Sequence, residues 1–286
     1  MPTVPDLVGE KLQEQRFRML EDIAKELSGE VVFPTCFDAA IHIRKALQDV
    51  DQPLDKIVAA ISVDPLIGAK LLQLANSVAF NPAGAAVCDV RGAVHRLGLE
   101  VVRSTAMAIS MRQMLRSRDI SGFDDLAQHL WRHSLQTASA AYVIARRLTR
   151  FNPDEAMFAG LVHDMGAFYM LYRAVQYEEL RSRPETLKYL IAQWHESIGI
   201  SLLGALEIPD QIIEAVRDHD VLRSQPKPQM LADVVYMANM LAGGVYEWMH
   251  LEIDEETAKN FEPEEPYLSL MAEIEAQTAE MIAVFS

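Results

Sequence analysis

Apolar residues recur along this chain at helical spacing, and no stretch alternates as a half-buried strand would. Between 126 and 148, Leu126, Leu130, Ala138, Ala141 and Ala145 mark one buried side of a long helix. Asp64-Pro65 has the cap-then-proline order of a helix start, with Leu66, Ala69, Leu72 and Ala75 following at three-residue steps that approximate one face. Asn152-Pro153-Asp154-Glu155 repeats that logic: Asn152 caps, Pro153 takes the first turn, and Glu155 can return to the cap amide. Leu97-Gly98 reads as a helix end, because glycine tolerates a left-handed backbone. Pro184, Pro209 and the Pro226/Pro228 pair divide the remainder into helices of ordinary length. The pattern predicts an all-α protein with no sheet.

Punctuation and charge suggest two helical lobes, 20–117 and 123–248, joined by the short polar stretch Arg118 to Gly122. Residues 1–19 then form an N-terminal extension and 249–286 an acidic, helix-compatible C-terminal one. The net charge of −15 over 286 residues is uneven. Glu247 to Ser286 holds eleven acids against Lys259 alone, so this end is expected to add helices outside the core that can be removed without unfolding the rest. Arg91 to Arg118 reverses the sign, with arginines at 91, 96, 103, 112, 116 and 118 against Glu100, a band that reads first as a solvated helix face and otherwise as a contact for an acidic partner or the chain's own tail. A chain this acidic repels phosphate over most of its surface, so nucleic acid is an unlikely partner despite a helix-turn-helix-like run from Lys56 to Asn76.

Half the residues are apolar, enough for a sizeable core, and no uncharged apolar run reaches the roughly 18 residues of a membrane span. The first ten residues lack the pattern of a secretion signal, and two cysteines, Cys36 and Cys88, read as core filler in a reducing cytoplasm.

The histidines carry the chemistry. His133 lies in the 126–148 helix, and His129, four residues earlier, can share its face and grip a metal with it. His163-Asp164 sits between Leu161-Val162 and Met165-Gly166; side by side on a helix, the two would diverge by about 100° and straddle one ion in a groove. His195 and His219 fall near the ends of predicted helices, and Asp220 follows directly. Imidazole with carboxylate suits a divalent transition metal, iron, manganese or zinc, better than magnesium. His42, His95 and His250 have no partner at ligand spacing.

Trp131-Arg132-His133-Ser134 followed by Gly160-Leu161-Val162-His163-Asp164-Met165-Gly166 resembles the HD superfamily of metal-dependent phosphohydrolases. His195-Glu196-Ser197-Ile198-Gly199 and the segment Ile208 to Asp220 look like that superfamily's later histidine motifs. The N-terminal runs Phe33-Pro34, Ile61 to Leu66, Leu71 to Ser77 and Ala93 to Gly98 are similar to the HDOD subfamily, so that the resemblance covers roughly residues 20 to 245. It implies an HD-like multi-helix bundle in which His133, His163, Asp164, His195 and His219 hold metal and Asp220 stands where a second histidine is usual. Asn239, a weaker ligand, stands where a closing aspartate is usual. Asn76 and the Leu97-Gly98 turn are fold elements on this view. Ala167 occupies the lysine position of the related cyclic-dinucleotide phosphodiesterases, and their Gly-Tyr-Pro motif is missing, which argues against cyclic di-GMP hydrolysis. The resemblance implies a regulatory signalling module, with signalling proteins or a small phosphorylated ligand as partners; the alternative is a metal-dependent phosphohydrolase acting on a nucleotide or other phosphoester.

Overall fold

The computed structural model describes residues 10–28, 35–48, 52–78, 80–81, 84–116, 122–225, 227–250, 259 and 262–285. Phe33-Pro34, Pro226 and all of the Arg118–Gly122 joint except Gly122 lie outside these. Among the described residues the chain is helical without a strand, as the spacing predicts.

The first half builds α1 (Glu10–Ser28), α2 (Asp38–Gln48), α3 (Leu54–Ser62), α4 (Pro65–Ala75), α5 (Val90–Leu97) and α6 (Leu99–Arg116). Asp64 caps α4 by accepting the Leu66 N–H at 2.8 Å, with Pro65 in the first turn. The buried face of α4 is not the predicted one: Leu66 and Ala69 are exposed, whereas Ile67, Leu71 and Leu74 are buried. Steps of three residues fall about 60° short of a full turn each time, so they wind around the helix, while the 4-then-3 spacing stays on one stripe. Asn76 ends α4 as a backbone clamp, donating to the carbonyls of Leu72 (2.9 Å) and Val87 (2.8 Å) and accepting the Val87 N–H. Gly98 breaks α5 from α6 at φ +79°, a conformation that favours glycine.

The second half comprises α7 (Asp124–Leu148), α8 (Pro153–Val162), α9 (Met165–Ala174), α10 (Glu178–Arg181), α11 (Pro184–Ala205), α12 (Asp210–Ala215), α13 (Leu231–Leu241) and α14 (Gly244–Met249). Asn152 caps α8 through the Asp154 N–H at 3.0 Å, but Glu155 does not turn back to the cap; it accepts from Gln211 on α12. The central α7 packs against α8, α13 and α14, and buries all five of its predicted core positions. Its approach to α8 depends on Gly160, where a Cβ would stand 2.9 Å from the Thr137 carbonyl oxygen.

One hydrophobic core runs through both halves, and α6, buried over most of its surface, lies between them against α2, α4, α8 and α9. From the first half, α1 also reaches across: Tyr177 donates to Asp22 at 2.5 Å, while Tyr169 and Arg173 engage Glu26. The acidic C-terminal end ends in α15 (Met271–Phe285), which packs on α7 and α4 rather than lying outside the core. Ile274, Thr278, Met281 and Phe285 form its buried stripe, with Phe285 edge-on to Trp131 at 6.4 Å. The charge sum concealed this, because α15 holds only three of those acids, Glu273, Glu275 and Glu280, and none of the three is buried. Cys36 is half-buried against the core, where burial pushes its thiol up to about 11, but Cys88 is exposed and fills no core.

Candidate metal centre

Five of the sequence-selected side chains meet in the second half. His133 comes from the middle of α7, His163 and Asp164 from the junction of α8 and α9, His195 from the middle of α11, and His219 from the turn after α12. The His163-Asp164 pair is not on one helix, as its spacing had suggested. The helix breaks there, with Asp164 at φ −97° and ψ 20°, and this break lets imidazole and carboxylate turn inward together. Asp218 adopts φ +55°, a left-handed turn that aspartate tolerates, and so redirects the chain to aim His219 and Asp220 at the same point.

Asp164 is the hub. Its Oδ2 lies 3.2 Å from His163 Nε2 and 3.6 Å from His133 Nε2, and its Oδ1 lies 3.4 Å from both His195 Nε2 and His219 Nε2. Asp220 Oδ2 adds a contact of 3.2 Å to His195 Nε2 and 3.7 Å to His219 Nε2. The groups divide into two half-sites sharing one carboxylate, His133 with His163 and His195 with His219.

Backbone carbonyls decide which ring nitrogen carries hydrogen. Nδ1 of His163, His195 and His219 each lies 2.7 Å from a carbonyl, of Gly160, Ile191 and Val216 respectively, and His133 Nδ1 lies 3.3 Å from that of Ala242. A carbonyl only accepts, so every Nδ1 donates and every neutral ring presents a bare Nε2 lone pair to the interior. Those lone pairs face one another at 3.1 Å between His133 and His163 and at 3.2 Å between His195 and His219. Neither oxygen of Asp164 receives a well-directed hydrogen bond, although the residue is 1 % exposed. Bare nitrogens and orphaned carboxylate oxygens converging in a buried space call for a cation, and the donor set fits a divalent transition metal.

The electrostatics agree. Burial lowers His133 to about 4, helped by neighbouring His163. Burial also opposes charge on His219, yet the carboxylates of Asp220 and Asp164 overcome it and raise this ring to about 10. His195 is raised in the same way, against burial, by Asp220 and Asp164. Both acids are pulled well below the usual carboxylate range against their own burial, Asp164 by His163 and Asp220 by His219. A proton on His219 thus takes the place of part of a metal's charge.

Asn239 adjoins the cluster through Asp220. Its Nδ2 donates to Asp220 Oδ1 at 2.8 Å and to the His219 carbonyl at 3.0 Å, so the amide holds Asp220, and its own buried Oδ1 has no hydrogen-bond partner among the described residues. His129 does not join His133; it lies half-exposed at the start of α7, next to Asp125 and His250. Sequence reasoning missed the glycine contact that seats His195. Gly166 on α9 lies so close to α11 that a Cβ there would overlap the His195 carbonyl oxygen, and Gly199 faces it. Thr137, with Oγ1 3.5 Å from His133 Nε2, was missed too, although its i+4 spacing was a usable signal.

Comparisons with known proteins place this arrangement. A crystal structure of a candidate metal-dependent phosphohydrolase from Shewanella amazonensis SB2B superposes with a TM-score of 0.72 at 22 % identity, over 96 % of this chain and all of that one. An HDOD domain protein of unknown function from Geobacter sulfurreducens gives 0.59 at 21 % identity, over 96 % of this chain and 98 % of that one. A candidate signal transduction protein from Marinobacter aquaeolei VT8 gives 0.55 at 19 % identity, over 94 % and 66 %. At such identities the likeness establishes the fold. An uncharacterized protein of Treponema pallidum (strain Nichols) is 26 % identical over 245 residues, 80 % of this chain but 45 % of that protein, so the chain spans under half of that relative's length. The model of the HDOD domain family matches residues 33–222, from the first-half helices through all five residues of the buried cluster, and the chain belongs to the HDOD family.

Proposed function

We propose that this protein is a regulatory signalling module whose second half is organised around a divalent metal held by His133, His163, Asp164, His195 and His219, with Asp220 as a further ligand. The enclosure of the cluster carries the reading: these five residues are between 1 % and 3 % exposed, and only Asp220 reaches solvent appreciably, its side chain being 20 % exposed. A phosphoester must bring phosphorus to within roughly 3–3.5 Å of an attacking water to react. Ligands this well covered favour a metal that braces the fold, with signalling through contacts of the helical surface with proteins or a small phosphorylated ligand.

The shared Asp164 and the four Nε2 atoms turned toward it favour one alternative, hydrolysis of a nucleotide or other phosphoester. When bound, the metal would supply a water of lowered pKa. The chain's part in either case is the same: carbonyls fix the imidazole tautomers, Asp164 bridges the half-sites, and Asn239 holds Asp220. Hydrolysis of a phosphomonoester and of a cyclic dinucleotide by the metal-loaded full chain separates the two readings. We expect metal retention with little turnover; robust turnover that vanishes in His163→Ala would establish the hydrolase.

A further inference from the structure

A second group of ligand-type side chains lies at the surface, at the start of α7. Asp125 and His129, one helical turn apart, share a face there. His250, just past α14, is turned toward them by its left-handed backbone, at φ 53°. His129 Nδ1 is 3.5 Å from Asp125 Oδ1, His250 Nε2 is 3.8 Å from Asp125 Oδ2, and the two rings stand edge to face with centroids 4.3 Å apart. Each residue brings a ligand atom within 4.8 Å of the other two.

We propose that Asp125, His129 and His250 form a second, solvent-facing site for a divalent transition metal, independent of the function assigned to the buried centre. The chemistry is that of two borderline imidazoles and one hard carboxylate, a set suited to zinc, cobalt, nickel or copper, with water completing the shell. The spacing fits. Donors about 2.0–2.1 Å from a tetrahedral ion stand about 3.3 Å apart; the 3.8 Å between His250 Nε2 and Asp125 Oδ2, and ligand atoms within 4.8 Å of one another across the three residues, leave a side-chain adjustment to close. The 3.8 Å gap between His250 and Asp125 is too long for a direct hydrogen bond, so the two groups approach each other without satisfying each other. The contact of His129 Nδ1 with the Asp125 carbonyl, at 2.8 Å, steadies the ring and leaves Nε2 with a free lone pair. An ion here would tie the first turn of α7 to the end of α14, whose Trp248 packs beside His133 with ring centroids 6.5 Å apart.

The test uses the full chain stripped of metal and titrated with Co²⁺, then Zn²⁺, reading cobalt absorption and bound equivalents by equilibrium dialysis. Wild type should bind one more equivalent than His129→Ala or His250→Ala, and His163→Ala should keep that equivalent. Asp125→Asn should weaken it roughly tenfold or more. All three surface residues are at least partly exposed, and circular dichroism verifies that their variants fold. Equal stoichiometry in wild type and the two histidine variants, loss from only one of them, or release at millimolar concentration (an adventitious ion only) would each overturn the proposal.

Discussion

At the scale of single residues, the centre is a competition between protons and metal for the same lone pairs. His219, raised to about 10 by Asp220 and Asp164 against its burial, carries a proton at neutral pH that a divalent ion must displace. Apparent metal affinity should therefore climb between pH 6 and pH 9, by about tenfold per unit for each proton released. The sign for the metal-free protein is opposite. A raised histidine contributes stability that is complete below its ordinary value near 6.5 and is lost as pH rises toward 10. Asp164 and Asp220, both lowered, contribute a constant amount over this window. Melting temperatures across pH 6–9 with and without metal check both signs; affinity that is flat or falls with pH would contradict them. Asn239→Asp sharpens the same balance by setting a new carboxylate against Asp220, where the amide now donates at 2.8 Å. We expect a lower Tm without metal and tighter metal binding, so that the metal-induced rise in Tm exceeds that of wild type. The identities of these ligands were legible in the sequence because imidazole and carboxylate are recognisable at motif spacing. Their tautomers were not, because the carbonyls of Gly160, Ile191, Val216 and Ala242 that fix them are backbone groups that any residue supplies.

At the scale of elements, the site depends on how closely helices approach. His195 reaches Asp164 because α9 and α11 touch at Gly166 and Gly199, leaving no room for a Cβ on Gly166. Gly166→Ala should separate these helices at a cost of about 1–3 kcal/mol, in the range of core overpacking. It should also reduce metal retention, because His195 moves with α11. Thermal melting with metal analysis tests this, and unchanged retention would show that the close approach does not set the site. Helix limits such as Asp64-Pro65, Asn152-Pro153 and Gly98 were readable because caps, prolines and left-handed glycines are local chemistry. The buried face of α4 was misread, and His195 was placed near a helix end instead of mid-helix. The first is a matter of local spacing, since three-residue steps wind around a helix; the second follows from α11 running on past His195 to Ala205.

At the scale of the molecule, the main core unites both halves and the acidic end, and a second cluster of α7, α13, Tyr267 and Ile274 joins that end to the second half. Ile274, Met281, Val284 and Phe285 are each at most 6 % exposed, and burying side chains of this kind contributes roughly 1.5–3 kcal/mol apiece before the entropy of ordering α15 is subtracted. Deleting 268–286 should thus lower Tm sharply or broaden the unfolding transition, since a typical domain has only about 5–15 kcal/mol in hand. A truncated chain melting like wild type would make α15 dispensable. The central claim is that the buried cluster is a divalent metal centre, and the most direct test is elemental analysis of this 286-residue chain purified without chelator. It is best made in a His129→Ala background, where the surface group is disabled. We expect iron, manganese or zinc to copurify and to disappear when His163→Ala and Asp164→Ala are added, with the helical fold retained. Metal-free protein that also takes up none of the three ions on addition, or equal content with and without those two substitutions, would contradict the claim.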